Sequence, residues 1–555
     1  MYRNIHFDNY SSTMHLWTWD RDGNPVVQQH TFKPYIYIES KKESELKTIY
    51  DTYVHKIEFP NVWEKNRYLK DGQLERIFFN LRPEQQFLIE QFGCLNNDPS
   101  FSRHNLNIAF IDIEVYTCKY DFDTKVKCKD GSTKYVDEIL SLPQEEINEL
   151  IVYDKEAEEY KLFHQSCYTQ TSEFPDAEEA KYPINVITMY STNDNMYYTW
   201  GLHQPYTHSR KDVKYIQCDT EFQLLSQFLD FWENNYPDVV SGWNSFGFDI
   251  PYIVNRISNV LGDRDASRLS PVNSIYYRPN VVNIYGKDVG KWYINGLTSL
   301  DYMELYQKFS QGETPNNTLN FIGEKELGKG KVKYNATDLS KLAITDWQTF
   351  IDYNIQDVNI LVDLDIKLQY INLARVIAYK GLCTLEASTG TIGVVTGALA
   401  QKAMEQGMII PTFTNHESSR NYEGGYVRPP KSGLQTDIVS FDANSLYPNT
   451  IITLNISPET KLGKVLDKSH RGVTIELVDG TVHTLTSEKF VTFLKRSNAC
   501  VSKAKIIYSQ NTKGFCPEAI ESIYQERVET RKKLHQAKLL EKRISKVLQN
   551  KKNEQ

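Results

Sequence analysis

The run Leu106-Asn107-Ile108-Ala109-Phe110-Ile111-Asp112-Ile113-Glu114-Val115 constrains the chain most. Apolar residues occupy both of its alternate faces, so it reads as a central strand in a sheet covered on both sides. A period of two puts Leu106, Ile108, Phe110, Asp112 and Glu114 on one face. Two carboxylates therefore stand side by side at the end of a buried strand. They repel strongly at low dielectric unless a cation lies between them.

Two distant segments offer more carboxylates. DVVSGWNSFGFDIPYIVNRI reads as a strand, a Gly-containing loop and a helix with Pro251 in its first turn. Asp249 lies at the mouth of that helix, where capping is the plain structural role. DWQTFIDYNIQDVNILVDLDIKL reads as a long amphipathic helix with the stripe Phe350, Tyr353, Asp357, Leu361 and Leu364. A carboxylate on an apolar stripe is either paired or metal-bound, because an unpaired buried charge is too costly. Tyr353 sits one turn before Asp357, so hydroxyl and carboxylate project together. Asp112, Glu114, Asp249 and Asp357 would suit two hard divalent ions, Mg2+ or Mn2+. One ion would activate water and the other would stabilise a leaving 3′ oxygen, with Tyr353 orienting the water. That is phosphodiester hydrolysis without a covalent intermediate.

A second acidic site is expected at Asp442. The apolar stretch Ile438-Val439-Ser440-Phe441 reads as a short strand that delivers Asp442, and the chain then turns at Ser445-Leu446-Tyr447-Pro448. An aspartate there can hold a divalent ion against a phosphate, or cap the next helix.

At 555 residues the chain should hold three or four domains. The net charge of −8, from 63 basic and 71 acidic residues, gives no global nucleic-acid signal, although local basic surfaces suffice for binding. The eight cysteines include no C-x-x-C pair, which argues against a zinc knuckle or disulfide framework and fits a reducing cytosol. The polar start MYRNIHFDNY is not a signal peptide, and no run is apolar enough to cross a membrane, so a cytoplasmic location is expected, in a host cell if the protein is viral. Residues 1–107 read as β-rich, with helical spacing in ESELKTIYDTYVHKI and RPEQQFLIEQFG. Residues 118–174 read as a polar inserted hairpin-and-helix excursion. Its Cys118 and His164-Gln165-Ser166 faintly resemble the ends of a protein-splicing element, but the segment is far too short to work as one. On the late helix, Ile520, Ile523, Tyr524, Arg527, Arg531 and Leu534 fall on one stripe. Arg527 and Arg531, one turn apart, could grip a polyphosphate.

Taken in order, FIDIEV, NSFGFD (Asn244 to Asp249) and YNIQD (Tyr353 to Asp357) resemble the three motifs of the 3′–5′ proofreading exonuclease of family B DNA polymerases. FDANSLYPN (Phe441 to Asn449) resembles the first palm motif of the same family. SGWNSFGFDIPYI and SFDANSLYPNTIITLNISPET are similar to the replicative polymerases of T-even-like bacteriophages. The resemblance implies a mixed α/β multidomain chain. It implies a β-rich N-terminal domain at 1–107, with 370–412 packing on it, and an RNase H-like exonuclease domain at 108–369 interrupted by the 118–174 insertion. A partial palm at 413–513 and a truncated first fingers helix at 514–555 complete the expectation. It makes Asp442 and the Ala443 carbonyl ligands of polymerase-site ions. It gives the Ser445 and Leu446 amides, Arg527 and Arg531 to the triphosphate of a dNTP, and Tyr447 to the sugar. Tyr422, Gly424 and Gly425, with Asn244 and Phe248, would contact primer-template or single-stranded DNA. A sliding clamp and other replisome proteins are expected partners.

The same resemblance shows what is lacking. The family's second palm carboxylate pair sits in a Tyr-Gly-Asp-Thr-Asp turn, but after Asp442 this sequence has only Asp467 and Asp479. The expectation is an N-terminal subunit or fragment whose polymerase site needs a second, C-terminal chain. A stand-alone exonuclease and a non-catalytic nucleic-acid-binding fragment are the alternatives.

Overall fold

The computed structural model describes residues 2–71, 76–93, 106–167, 175–282, 288–310, 312, 314–333, 339–412, 427–469 and 472–553. The chain is mixed α/β and divides into two compact units. One holds residues 1–31 and 96–394, the other 32–95 and 395–555.

The first unit is built on a six-stranded sheet. Its strands are β1 (Ile108–Val115), β2 (Ile184–Ser191), β3 (Met196–Leu202), β4 (Val213–Cys218), β5 (Val239–Ser241) and β6 (Thr298–Ser299), in the order β4-β3-β2-β1-β5-β6. The apolar run expected to be central is central: β1 pairs antiparallel with β2 and parallel with β5. The helices used below are α1 (Gln144–Glu149), α2 (Glu221–Asn234), α3 (Asp249–Val260), α4 (Leu339–Thr345) and α5 (Trp347–Leu368). Alternate residues of β1 feed opposite sides of the sheet. Ile111 and Ile113 join Ile187, Trp200, Leu224, Phe228 and Ile253 in one core, which includes α2 and α3. Asp112 and Glu114 face the other way, toward α5. The three N-terminal strands Tyr2–Asp8, Thr13–Trp19 and Pro25–Thr31 form a separate meander in this unit. It is tied down where Arg3 pairs with buried Asp238 at 2.6 Å.

The segment expected to be an insertion has an apolar core of its own, with Val126, Cys128, Val136, Ile139, Ile147, Val152 and Phe163 buried together. Two short hairpins, Lys125–Lys127 with Thr133–Tyr135 and Ile151–Asp154 with Glu159–Leu162, carry its strands.

The second unit contains a sheet of Met408–Ile409, Lys47–Thr48, Tyr53–Glu58 and Tyr35–Ser40. The helical spacing of ESELKTIYDTYVHKI is thus not realised. Its Thr, Tyr, Val and Ile residues favour a pleated surface, and Tyr53–Glu58 pairs antiparallel with Tyr35–Ser40. RPEQQFLIEQFG does form a helix, Pro83–Phe92. A five-stranded sheet spans Lys461–Ser469, Gly472–Leu477, Val482–Leu485, Ala499–Val501 and Ile506–Ser509. Helices α6 (Leu446–Leu454) and α7 (Phe515–Asn553) flank it in the sequence. The turn Asn455–Thr460 joins them: the Asn455 amide donates to Ser509 O and Thr512 O at 2.7 and 2.8 Å, and Gly514 N donates to Asn455 Oδ1 at 2.9 Å.

Removing one partner of a buried ion pair strands the other charge, at a cost of about 3 kcal/mol or more. Asp238→Ala is therefore expected to lower the first unit's urea midpoint by a corresponding amount. An unchanged midpoint would show that the Arg3–Asp238 pair does not anchor the N-terminal meander.

Candidate active site

Four acidic side chains from three elements lie within electrostatic reach of one another around β1. Asp112 and Glu114 come from β1, Asp249 opens α3, and Asp357 lies on α5. Asp249 and Asp357 are buried. Asp249 does not cap its helix, because the N-cap position is Phe248. Instead its Oδ1 accepts from the Ile113 amide at 3.2 Å, which ties α3 to the strand that carries the other two acids. The loop before it is fixed by Asp301, which accepts from the Asn244 and Phe246 amides, each at 3.1 Å. Asn244 adopts a left-handed backbone at φ 61°, a conformation that asparagine tolerates. It is exposed, while Phe248 is half-buried against Tyr252.

The α5 side chains close the site. Asn354 Nδ2 donates to Asp112 Oδ2 at 2.7 Å. Lys331 Nζ donates to the Tyr353 hydroxyl at 2.8 Å and also to Asp357 Oδ2. The second Asp357 oxygen, Oδ1, is buried without a hydrogen-bond partner among the described residues. Lys331, Asn354 and Asp301 were absent from the sequence reading. Asn354 sits inside the YNIQD motif and shares a helix face with Asp357. Asp301 precedes a helical run in the manner of an N-cap. Lys331 lies in the Gly-Lys-rich stretch Gly328–Lys333, whose only signal is its basicity.

The electrostatics follow first from burial and then from crowding. Burial pushes Asp112 well above the carboxylate range, and the charges of Asp249, Asp357 and Glu114 push it further. Burial and then Asp357 raise Glu114 to about 8, with Lys331 opposing. Burial lifts Asp249 to about 7 against the pull of the Ile113 amide. Asp357 is raised by burial and drawn back by Lys331. Burial alone would lower Lys331, but Asp357 and Tyr353 outweigh it and hold the ammonium firmly charged. The donors are hard oxygens whose repulsion a divalent cation would relieve, and Asp357 Oδ1 has a free acceptor, so the residues fit Mg2+ or Mn2+. As the side chains lie, no three acidic, His or Cys groups among the described residues converge as a ligand set for one ion, and Lys331 supplies the local positive charge.

The expected second site is laid out differently. Ile438–Phe441 is not a strand: it has no sheet neighbour, and Phe441 is 92% exposed. A strand holds its geometry through ladder bonds, and none of the strands in this unit pairs with it. Asp442 and Ala443 are exposed. Ser445, left-handed at φ 50°, is the N-cap of α6, and Leu446 opens that helix. Tyr447 is 80% exposed. Arg527 and Arg531 lie on the exposed part of α7. Tyr422, Gly424 and Gly425 lie outside the described residues.

Residues 116–322 match the family described as DNA polymerase family B, exonuclease domain, and residues 384–552 match DNA polymerase family B. The chain belongs to the family B DNA polymerases. It is 33% identical over 320 residues to the DNA-directed DNA polymerase of Escherichia phage RB69, a match that covers 53% of this chain and 35% of that protein. To the DNA-directed DNA polymerase of Enterobacteria phage T4 it is 28% identical over 423 residues, covering 72% of this chain and 45% of the relative. A DNA polymerase from Pyrococcus glycovorans is 27% identical over 323 residues, 55% of this chain and 38% of its own length. The chain thus spans less than half the length of these relatives.

With its acids raised, the folded protein holds protons that the unfolded chain has already released at the same pH. Metal-free stability is therefore expected to fall as pH rises from about 5 toward 8. Mn2+ should bind more tightly over the upper part of this range and release protons as it does so. Thermal melts in EDTA and in Mn2+, with calorimetry in two buffers of different ionisation enthalpy, check this. Binding that is independent of pH would contradict it.

Proposed function

We propose that this chain carries a complete 3′–5′ exonuclease site and the first half of a polymerase site, within a replicative DNA-directed DNA polymerase. The single observation that carries the reading is that Asp112, Glu114, Asp249 and Asp357 lie within electrostatic reach of one another, with Tyr353 and Lys331 beside Asp357. No described helix is long and apolar enough to cross a membrane.

In this reading the four acids hold two divalent ions, which when bound supply a hydroxide nucleophile and charge stabilisation for hydrolysis of a 3′-terminal phosphodiester. Asn354 fixes the rotamer of Asp112. Tyr353 orients water through its hydroxyl, and Lys331 keeps that hydroxyl and Asp357 in place while adding positive charge near the scissile phosphate. Asn244 and Phe248, on the loop pinned by Asp301, contact the single strand.

At the second site, Asp442 and the Ala443 carbonyl hold polymerase ions. Ser445, Leu446, Arg527 and Arg531 take the triphosphate of a dNTP, and Tyr447 lies under its sugar. Tyr422, Gly424 and Gly425 contact template. One carboxylate does not organise two metals, so nucleotide transfer needs further acids beyond those of residues 443–555, from the same polypeptide or from a second chain. Two observations support this. Asp467 is on an exposed strand face, and Asp479 is used in its own turn, accepting from Thr481 N and Oγ1 at 2.9 and 2.6 Å. Leu434, Ile438, Val439 and Phe441 are 96, 74, 72 and 92% exposed, an apolar stretch suited to being covered by further strands. A sliding clamp would bind the completed enzyme.

The purified chain with 5′-labelled single-stranded DNA and Mg2+ should release 3′ mononucleotides, and Asp112→Ala should slow this by at least about 10²-fold. Absence of release, or an unaffected variant, would sink the exonuclease reading and leave a binding fragment. Primer extension should require a chain bearing the second palm acids. Asp442→Ala should abolish extension while leaving degradation intact. Extension by this chain alone would refute the divided site.

A further inference from the structure

The segment that begins at Cys118, three residues after the end of β1 at Val115, is closed at its base. Lys119 N donates to Cys167 O at 3.0 Å, Cys118 Sγ donates to the same carbonyl at 3.2 Å, and Tyr120 OH meets Ser166 Oγ at 2.7 Å. The residues that resemble splicing ends therefore serve as a clasp. From this closed base the segment reaches across to the corner between α4 and α5. Ile344, the last apolar residue of α4, is buried in the insertion's own core.

The polar contacts concentrate at the same corner. Gln144, the first residue of α1, donates from Nε2 to the Ile344 carbonyl and accepts at Oε1 from the Trp347 amide at 3.3 Å. Asn148, one turn on, donates to the Thr345 carbonyl at 3.1 Å. Thr117 bonds Ser340 on α4 through their hydroxyls. One side chain thus bridges the last turn of α4 and the first amide of α5, both of which lack intrahelical partners. Opposite it, Trp347 Nε1 donates to the Tyr215 hydroxyl of β4 at 3.1 Å. The corner is held from both sides.

We propose that residues 117–167 are a built-in clamp that sets the position of α5, and that Gln144 is a positioning residue for the exonuclease site. A helix transmits a displacement of its first turn along its length. Tyr353, Asn354 and Asp357 lie within about three turns of Trp347. A shift there pulls Asn354 from Asp112 and Tyr353 from Lys331. This rests on the exonuclease reading for its effect on turnover, but the mechanical part does not.

The test compares wild type, Gln144→Ala, Gln144→Glu and Asp112→Ala. Hydrogen–deuterium exchange is followed at amides 345–352, and degradation of single-stranded DNA as kcat and KM. Gln144→Ala should speed exchange at the start of α5 and lower kcat about tenfold at unchanged KM, with Tm within about 2 °C. Gln144→Glu keeps the acceptor for the Trp347 amide and should recover part of both. Unchanged exchange in Gln144→Ala would overturn the clamp. Faster exchange with unchanged kcat would overturn its role in catalysis. If wild type itself is inactive, the exonuclease reading fails, and the exchange measurement still decides the clamp.

Discussion

The mutual repulsion of four carboxylates is the constraint around which the first unit is arranged. Asp112 and Glu114 share one face of a central strand, and Asp249 and Asp357 are brought to them by two helices. Such a cluster is tolerable only with compensating contacts. The Ile113 amide serves Asp249, the Asn354 amide serves Asp112, and the Lys331 ammonium serves Asp357. Even so the acids hold their protons well above the ordinary carboxylate range. That is strain a divalent cation would relieve, so one arrangement of charges limits stability without metal and favours metal when it is present.

Much of this arrangement was legible in the sequence because it depends on short-range periodicity. The two apolar faces of Ile108–Val115 required a central strand, and the stripe through Phe350, Tyr353 and Asp357 required a long buried helix. The compensating groups were not legible. Lys331 comes from a Gly-Lys-rich run with no periodic pattern, and its contact with Asp357 exists only once α5 has packed. Asn354 carried no signal apart from its place in YNIQD. The misread segments have a common cause as well. ESELKTIYDTYVHKI has spacing compatible with a helix, but Tyr35–Ser40 offers a pairing edge and the β-branched residues take it. Ile438–Phe441 has strand composition but no pairing edge among the described residues, and it stays unpaired and exposed. Composition proposes a strand, and a neighbour decides whether it forms.

That contrast separates the two acidic sites. The first is assembled from elements the chain contains, buried in a sheet with helices on it. The second has a left-handed Ser445 starting α6 and a well-tied Asn455–Thr460 turn behind it, yet Asp442 projects from exposed backbone. The helix and its turn are tied by hydrogen bonds, and the stretch before Asp442 has no sheet partner among the described residues. Apolar side chains left in water gain from any complementary apolar face.

The insertion shows how an added segment becomes part of the machinery it interrupts. It begins at Cys118, three residues beyond the end of β1, where extra chain would be expected to disturb the strand. β1 still pairs with β2 as far as Val115, with one register shift between Ile184 and Val186, and the segment closes on itself between Cys118 and Cys167. Having closed, it exposes Gln144 and Asn148, whose amides match unpaired groups at the α4–α5 corner. The buried Ile344 supplies the apolar half of the same contact. An insertion that merely looped out would leave those carbonyls and the Trp347 amide to water. This one replaces water with a fixed side chain at the root of the helix that carries Tyr353 and Asp357, which ties the geometry of the acids to a segment contributing none of them.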